Sequence, residues 1–196
     1  PTQHSVKTLM ESGVNADIIV CRTEYKLSNA IKNKIALFCN VQNEAVIESI
    51  DAETIYDVPI LMQKEGLDKV VLKRLGLSTI KSSKMDNWKV VLDKLKNSDK
   101  TVNIGLVGKY VELQDAYKSI AEAFIHSGAA NQCKVKVSWI QSEEIDSSNA
   151  KEKLEQFDGI LVAPGFGDRG IEGKIETVKF ARTKKVPFFG ICLGMQ

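Results

Sequence analysis

Histidine is nearly missing from this chain: His4 and His126 are the two among 196 residues. Neither lies at ligand spacing from a cysteine, and Cys21, Cys39, Cys133 and Cys192 form no Cys-x-x-Cys pair, so the sequence offers no metal site. Long apolar runs are missing too. The longest are strand-sized, which excludes a membrane-spanning helix, and no signal peptide opens the chain. An excess of one charge is also absent, because 27 basic against 25 acidic side chains leave a net +2. That is no footprint for nucleic acid, and the lysines between Lys81 and Lys100, interleaved with acidic and apolar residues, read as solvated helix faces. No methionine stands first; the start at Pro1-Thr2-Gln3 suits an internal piece of a longer protein. What is present, 43% hydrophobic and 27% charged residues, is the composition of a globular protein with one good core or two modest ones. Cys21, Cys39 and Cys133 lie in or beside apolar runs and read as small core residues of a reduced, cytoplasmic protein.

Cys192 stands apart. It lies in Gly190-Ile191-Cys192-Leu193-Gly194-Met195-Gln196, directly after an apolar run. A Gly-x-Cys-x-Gly turn has the logic of a nucleophile elbow, in which small residues two positions away let a tight turn lift the central side chain from a sheet edge. A sulfur nucleophile needs a base and gains from a helix N-terminus behind it.

The periodicity divides the chain into two blocks. In the first, Val6, Leu9, Met10 and Val14 recur at helical spacing and Gly13 can end that helix; Ile18 to Cys21 reads as a buried strand. Ser28 can cap a helix carrying Ile31, Ile35 and Phe38, and Ala45 to Ile50 reads as a strand, which makes a βαβ unit with a parallel sheet. Ile55 to Leu75, broken by Pro59 and Gly66, reads as short helices. Residues 77–100 read as a linker with one amphipathic helix that carries Met85, Trp88, Val91, Leu92 and Leu95. In the second block strands are expected at Val102–Val107, Val135–Ile140, Ile160–Ala163 and Pro187–Ile191. Helices are expected at Ala116–His126, with Gly128 beyond it, Lys151–Phe157 and Lys174–Thr183. This alternation is that of a doubly wound, three-layer α/β domain, whose ligands gather beyond the carboxyl ends of the strands.

Three loops fall at those ends: Gly108-Lys109-Tyr110, Pro164-Gly165-Phe166-Gly167 and Cys192-Leu193-Gly194. If Cys192 attacks a carbonyl, the oxyanion must meet fixed donors. The N–H of Leu193 is one by position, and Gly165 is the natural second because Pro164 has no N–H. Other readings stay open on the residues alone. The glycine loop is also an ordinary turn, Lys34 a solvated lysine, Thr2 a helix cap, Asp51 a cap for the helix after it, and Cys192 a redox sensor that is oxidised rather than acylated.

The residues then carry a resemblance. Gly190 to Gln196, the loop Gly165 to Gly173, Val107-Gly108-Lys109-Tyr110 with Asp115-Ala116-Tyr117-Lys118-Ser119, Lys34 to Asn40 and the opening Pro1-Thr2-Gln3-His4-Ser5 together resemble the CTP synthase family across nearly the whole chain. The resemblance implies two domains: a P-loop-like amidoligase that uses ATP and magnesium to phosphorylate the uracil O4 of UTP, and a class I glutaminase whose ammonia displaces the phosphate to give CTP. It implies GTP as activator, CTP as feedback inhibitor and a cytoplasmic homotetramer, with no nucleic-acid or membrane partner. Residues 1–76 then correspond to the end of the synthetase domain, 77–100 to the linker and 101–196 to the first half of the glutaminase.

Carried over by position, Cys192 is the nucleophile, and Gly165, Leu193, Gly194, Met195 and Gln196 contact glutamine or the oxyanion. Pro1, Thr2, Gln3 and Lys34 hold UTP or CTP, and Ile50, Asp51 and Ala52 contact the adenine of ATP. Phe166 and Arg169 lie on the lid loop of GTP activation, the arginine with little around it to pack against and so able to reach an anion. Lys109 and Lys118 contribute to domain coupling. One departure is plain: where the family has Pro-Gly-Gly-Phe-Gly, this chain has Ala163-Pro164-Gly165-Phe166-Gly167, so a proline replaces the first glycine and stiffens the loop. The phosphate loop and magnesium carboxylates are expected before Pro1 and the His and Glu of the triad after Gln196, His126 being no substitute. The piece alone is therefore expected to catalyse neither half-reaction. A downstream His-x-Glu would separate this reading from the sensor, and the nucleotide-loop-like start separates it from other class I glutaminases.

Overall fold

The computed structural model describes residues 1–77 and 84–196; residues 78–83, inside the expected linker, lie outside the described residues. The chain divides into two compact units, Pro1–Val90 and Val91–Gln196.

In the first unit α1 (Thr2–Glu11) leads to β1 (Ile19–Thr23), α2 (Asn29–Phe38) and β2 (Val46–Ile50). The two strands pair in parallel with Ile19 beside Val46 and Thr23 beside Ile50, as a βαβ crossover demands. Ser28 caps α2 by accepting from the Ile31 N–H at 3.3 Å. Ser28→Ala is expected to cost about 1 kcal/mol, read by chemical denaturation. The core is Val6, Ile19, Ile35, Ala36, Cys39 and Val46. The stripe of α2 therefore runs through Ile35, Ala36 and Cys39, and Ile31 and Phe38, expected on it, are exposed. Cys21 and Cys133 are likewise half-buried, and Cys39 alone of the three is buried. Burial raises the pKa of both the Cys21 and Cys39 thiols.

After β2 come α3 (Val58–Lys64) and α4 (Leu67–Arg74), separated at Gly66, whose φ of 80° is left-handed. Glu48, buried on β2, accepts from the Leu27 N–H at 2.8 Å and lies 3.8 Å from the Lys32 ammonium, which pairs with Glu65 at 3.0 Å. α5 (Asp86–Lys96) is the amphipathic helix of the expected linker, and the boundary between the units falls inside it.

The second unit alternates β3 (Lys100–Gly108), α6 (Lys118–Asn131), β4 (Cys133–Gln141), α7 (Ala150–Leu154), β5 (Gly159–Val162), α8 (Ile171–Lys184) and β6 (Phe188–Gly190). The strands lie in the order β4-β3-β5-β6 and are all parallel, with Val107 beside Val162 and Val162 beside Gly190. Alternate residues face opposite layers. Val107, Ile160 and Val162 pack with Leu154, Phe180 and Ala181 of α7 and α8. Leu106, Leu161 and Ala163 pack with Tyr117, Ile120 and Phe124 on the α6 side. The sheet is thus covered on both faces, and the chain reverses direction between β3 and β5, where an α/β sheet opens its ligand crevice.

One helix end differs from the sequence reading. α6 does not stop before Gly128 but runs through it to Asn131, and Gln132 closes it at φ 53°. Gly128 is required inside the helix because a Cβ there would come 2.6 Å from the Cys133 carbonyl oxygen. Among the described residues no helix is long and apolar enough to cross a membrane, and no group of three His, Cys, Asp or Glu side chains could hold a metal ion.

Candidate active site

β6 delivers the chain to Cys192 through Ile191, whose N–H donates to the Val162 carbonyl at 3.1 Å. At Cys192 the backbone enters the left-handed region, φ 55°, and a single 3-10 turn follows, with Gly194 N–H donating to Ile191 at 3.0 Å and Met195 N–H to Cys192 at 2.9 Å. Three other described non-glycine residues have positive φ, and they are Asn40, Gln132 and Lys185. Those three lie at or just past helix ends, where this conformation is an ordinary stop. Cys192 instead follows a strand, and strain held there sets a side chain where regular structure would not. Both flanking glycines are demanded by the same turn: a Cβ on Gly190 would run into the Gly194 carbonyl, and one on Gly194 into the Val162 carbonyl. Cys192 itself is half-buried.

Beside it, the loop after β5 carries Gly165 at φ 144°, Gly167 at 84° and Gly170 at 71°. Buried side chains hold its carbonyls. The Lys174 ammonium donates to Ala163 at 2.9 Å, and the Lys109 ammonium donates to Phe166 at 2.7 Å and also to Gly167. The Tyr117 hydroxyl lies 3.4 Å from the Pro164 oxygen and accepts from the Lys109 and Tyr110 N–H groups at 3.2 and 3.4 Å. Gly108 admits that ring, since a Cβ would sit 2.7 Å from the hydroxyl. Among the described residues the N–H groups of Gly165 and Leu193, the expected oxyanion donors, have no acceptor within the chain. The Lys174 pKa is lowered by burial first and the Lys109 charge second, while the field of Cys192 raises it.

Arg169 is not free of neighbours, as the surrounding glycines suggest. The turn into α8 carries it back so that its guanidinium lies 5.7 Å from the centre of the Tyr110 ring, pairs with Glu143 at 3.1 Å and donates to the Lys109 carbonyl at 3.3 Å. Phe166 points outward, 81% exposed. Leu193, Gly194, Met195 and Gln196 line a groove of about 480 Å³ against Ile175 and Val178 of α8.

The remaining candidates lie in the first unit. Thr2 opens α1 without a capping bond, because Pro1 occupies the cap position; Gln3 is exposed beside it. Lys34 is exposed on α2. Ile50 ends β2, with Asp51 and half-buried Ala52 just beyond it. Asp51 does not cap the next helix: its carboxylate pairs with Arg22 at 3.0 Å, and Thr54 caps instead, accepting from the Tyr56 N–H at 3.0 Å.

Sequence reading passed over Lys174, Tyr117 and Glu143 as site residues. A signal existed for the first, since Lys174 falls in register with Thr177 and Ala181 on the buried stripe of α8, and a cation on an apolar face is out of place unless its donors are used.

Known proteins resemble this chain along its length. The family described as CTP synthase N-terminus matches residues 1–77, and the one described as glutamine amidotransferase class-I matches residues 112–196. The CTP synthase of Flavobacterium johnsoniae is 65% identical over 196 residues, covering 100% of this chain and 36% of the relative. That of Methanocaldococcus jannaschii is 52% identical over 202 residues, covering 100% of this chain and 37% of the relative. The glutaminase domain of Trypanosoma brucei CTPS with bound acivicin is 39% identical, at a TM-score of 0.44, over 48% of this chain and 38% of that one. The chain thus spans little more than a third of the length of the curated relatives it matches. Joining a CTP synthase N-terminal sequence to a class I amidotransferase sequence in a single stretch, it belongs to the CTP synthase family.

Proposed function

We propose that the full-length protein carrying this chain makes CTP from UTP and ATP with ammonia taken from glutamine, and that Cys192 is the glutaminase nucleophile. The observation that carries this is the left-handed Cys192 turn with the unengaged N–H groups of Leu193 and Gly165. The Cys192 thiolate attacks the side-chain amide carbon of glutamine, and the electron pair of the C=O goes to oxygen, where those N–H groups receive it. Collapse breaks the C–N bond, the departing nitrogen takes up the proton that the thiol gave up and leaves as ammonia, and water hydrolyses the thioester to glutamate and the free thiol. Ammonia then displaces phosphate from C4 of UTP activated by ATP.

In this reading residues 1–76 belong to the synthetase domain, 77–100 link it to the amidotransferase domain, and 101–196 begin that domain. Pro1, Thr2, Gln3 and Lys34 bind UTP or CTP, Ile50, Asp51 and Ala52 meet the adenine of ATP, and Gly194, Met195 and Gln196 contact glutamine. Phe166 and Arg169 serve GTP activation. Magnesium enters with ATP; the described residues contain no three-ligand set for it. The enzyme is a cytoplasmic homotetramer inhibited by CTP, and residues 1–196 alone make no CTP.

Cys192→Ala in the full-length enzyme is expected to remove CTP formation from glutamine while leaving CTP formation from ammonia. Loss of neither would exclude Cys192 as nucleophile. A wild-type enzyme that makes no CTP from either nitrogen source would refute the whole reading.

A further inference from the structure

Lys109 and Lys174 are 3% and 5% exposed, and among the described residues neither has a carboxylate partner. An ammonium buried in that way costs several kcal/mol unless its donors are used. Here the donors go to one loop, at the carbonyls of Ala163, Phe166 and Gly167. The loop begins at a proline, whose ring fixes φ at residue 164. With the Ala163 carbonyl held by Lys174 and φ fixed at Pro164, the remaining freedom is rotation of the Pro164–Gly165 peptide. Tyr117 holds that peptide by its carbonyl. A trans peptide is planar, so a held C=O turns its N–H to the opposite edge, and the N–H so turned is that of Gly165.

We propose that Lys174, together with Tyr117, is a positioning residue for the oxyanion site: the ammonium anchors Ala163, the proline ring removes one rotation, and the hydroxyl sets the Gly165 N–H. This rests on the glutaminase reading above. The proline that replaces the family's first glycine is then part of the frame.

The test uses the full-length enzyme with Lys174→Met, Lys174→Arg and Tyr117→Phe. In Lys174→Met the kcat for glutamine hydrolysis is expected to fall roughly 100-fold with little change in KM for glutamine, ammonia-dependent CTP formation intact and the melting temperature not lowered, because a buried charge without a carboxylate partner has been removed. Arginine, which retains a cationic donor, should recover part of the loss, and Tyr117→Phe should lower kcat about 10-fold. An unchanged kcat in Lys174→Met overturns the proposal. So does a displaced pH profile with an undiminished maximum, which would put the effect on the sulfur. If Lys174→Met fails to fold, Tyr117→Phe decides, and an unchanged kcat there overturns the proposal. Wild-type enzyme that forms CTP from ammonia and does not hydrolyse glutamine would instead refute the underlying reading.

Discussion

Gly194→Ala is expected to silence glutamine hydrolysis as thoroughly as loss of the Cys192 sulfur. The added methyl carbon would run into the backbone oxygen of Val162, and the neighbours that would have to yield are strand atoms rather than the end of a flexible side chain. Val162 pairs with Val107 on one side and Gly190 on the other, so its carbonyl cannot retreat without breaking the sheet. The turn must open instead, and Cys192 and the Leu193 N–H move with it. A displacement of about 1 Å at a reacting centre costs roughly 100-fold in rate, and this substitution moves nucleophile and oxyanion donor together. Glutaminase assays beside ammonia-dependent CTP synthesis check it; retention of more than a tenth of wild-type glutaminase activity would mean that the turn tolerates a side chain.

Gly173→Ala is expected to have the largest effect on stability. Gly173 lies in the first turn of α8, and a Cβ there would strike the backbone oxygen of Ser142, with the Ile145 carbonyl 3.1 Å away. Ser142 is fully buried in the 3-10 turn just past β4, so α8 would have to lift from the sheet, opening the core of Leu154, Phe180 and Ala181. Overpacking against backbone costs about 3 kcal/mol, a fall of roughly 12–24 °C in melting temperature for a unit of about 100 residues. Thermal unfolding of wild type and variant measures it, and a shift under 2 °C would contradict the packing described.

Strands β3, β5 and β6 were legible in the sequence as short apolar runs, the form a parallel strand takes when it is covered on both faces, and β4 by the alternation of Lys134, Lys136 and Ser138 with Val135, Val137 and Trp139. The elbow at Cys192 was legible because its two glycines have one purpose, close backbone approach. Less could be read where tertiary contact overrides spacing. Ile31 and Phe38 share a helical stripe with Ile35, yet α2 turns Ile35 and Ala36 to the core and leaves those two exposed. Gly128 resembled a helix stop, whereas its meaning is the Cys133 carbonyl lying against α6. Arg169 resembled an unaccompanied cation because its partners, Tyr110 and Glu143, come from loops distant in sequence. Lys174 was hidden by chemistry: lysine counts as polar in any periodicity, and only the Ala163 carbonyl explains a buried one.

The two grips on the Pro164 region arrive from opposite layers of the sheet. Tyr117 packs with the α6 layer and Lys174 belongs to α8. A slide of either helical layer therefore tilts a single peptide plane, as a needle held between two plates turns when one of them shifts. The Gly165 N–H is in this sense a gauge of the alignment of the whole three-layer stack, and packing defects remote from Cys192 are read out at the oxygen of the bound carbonyl.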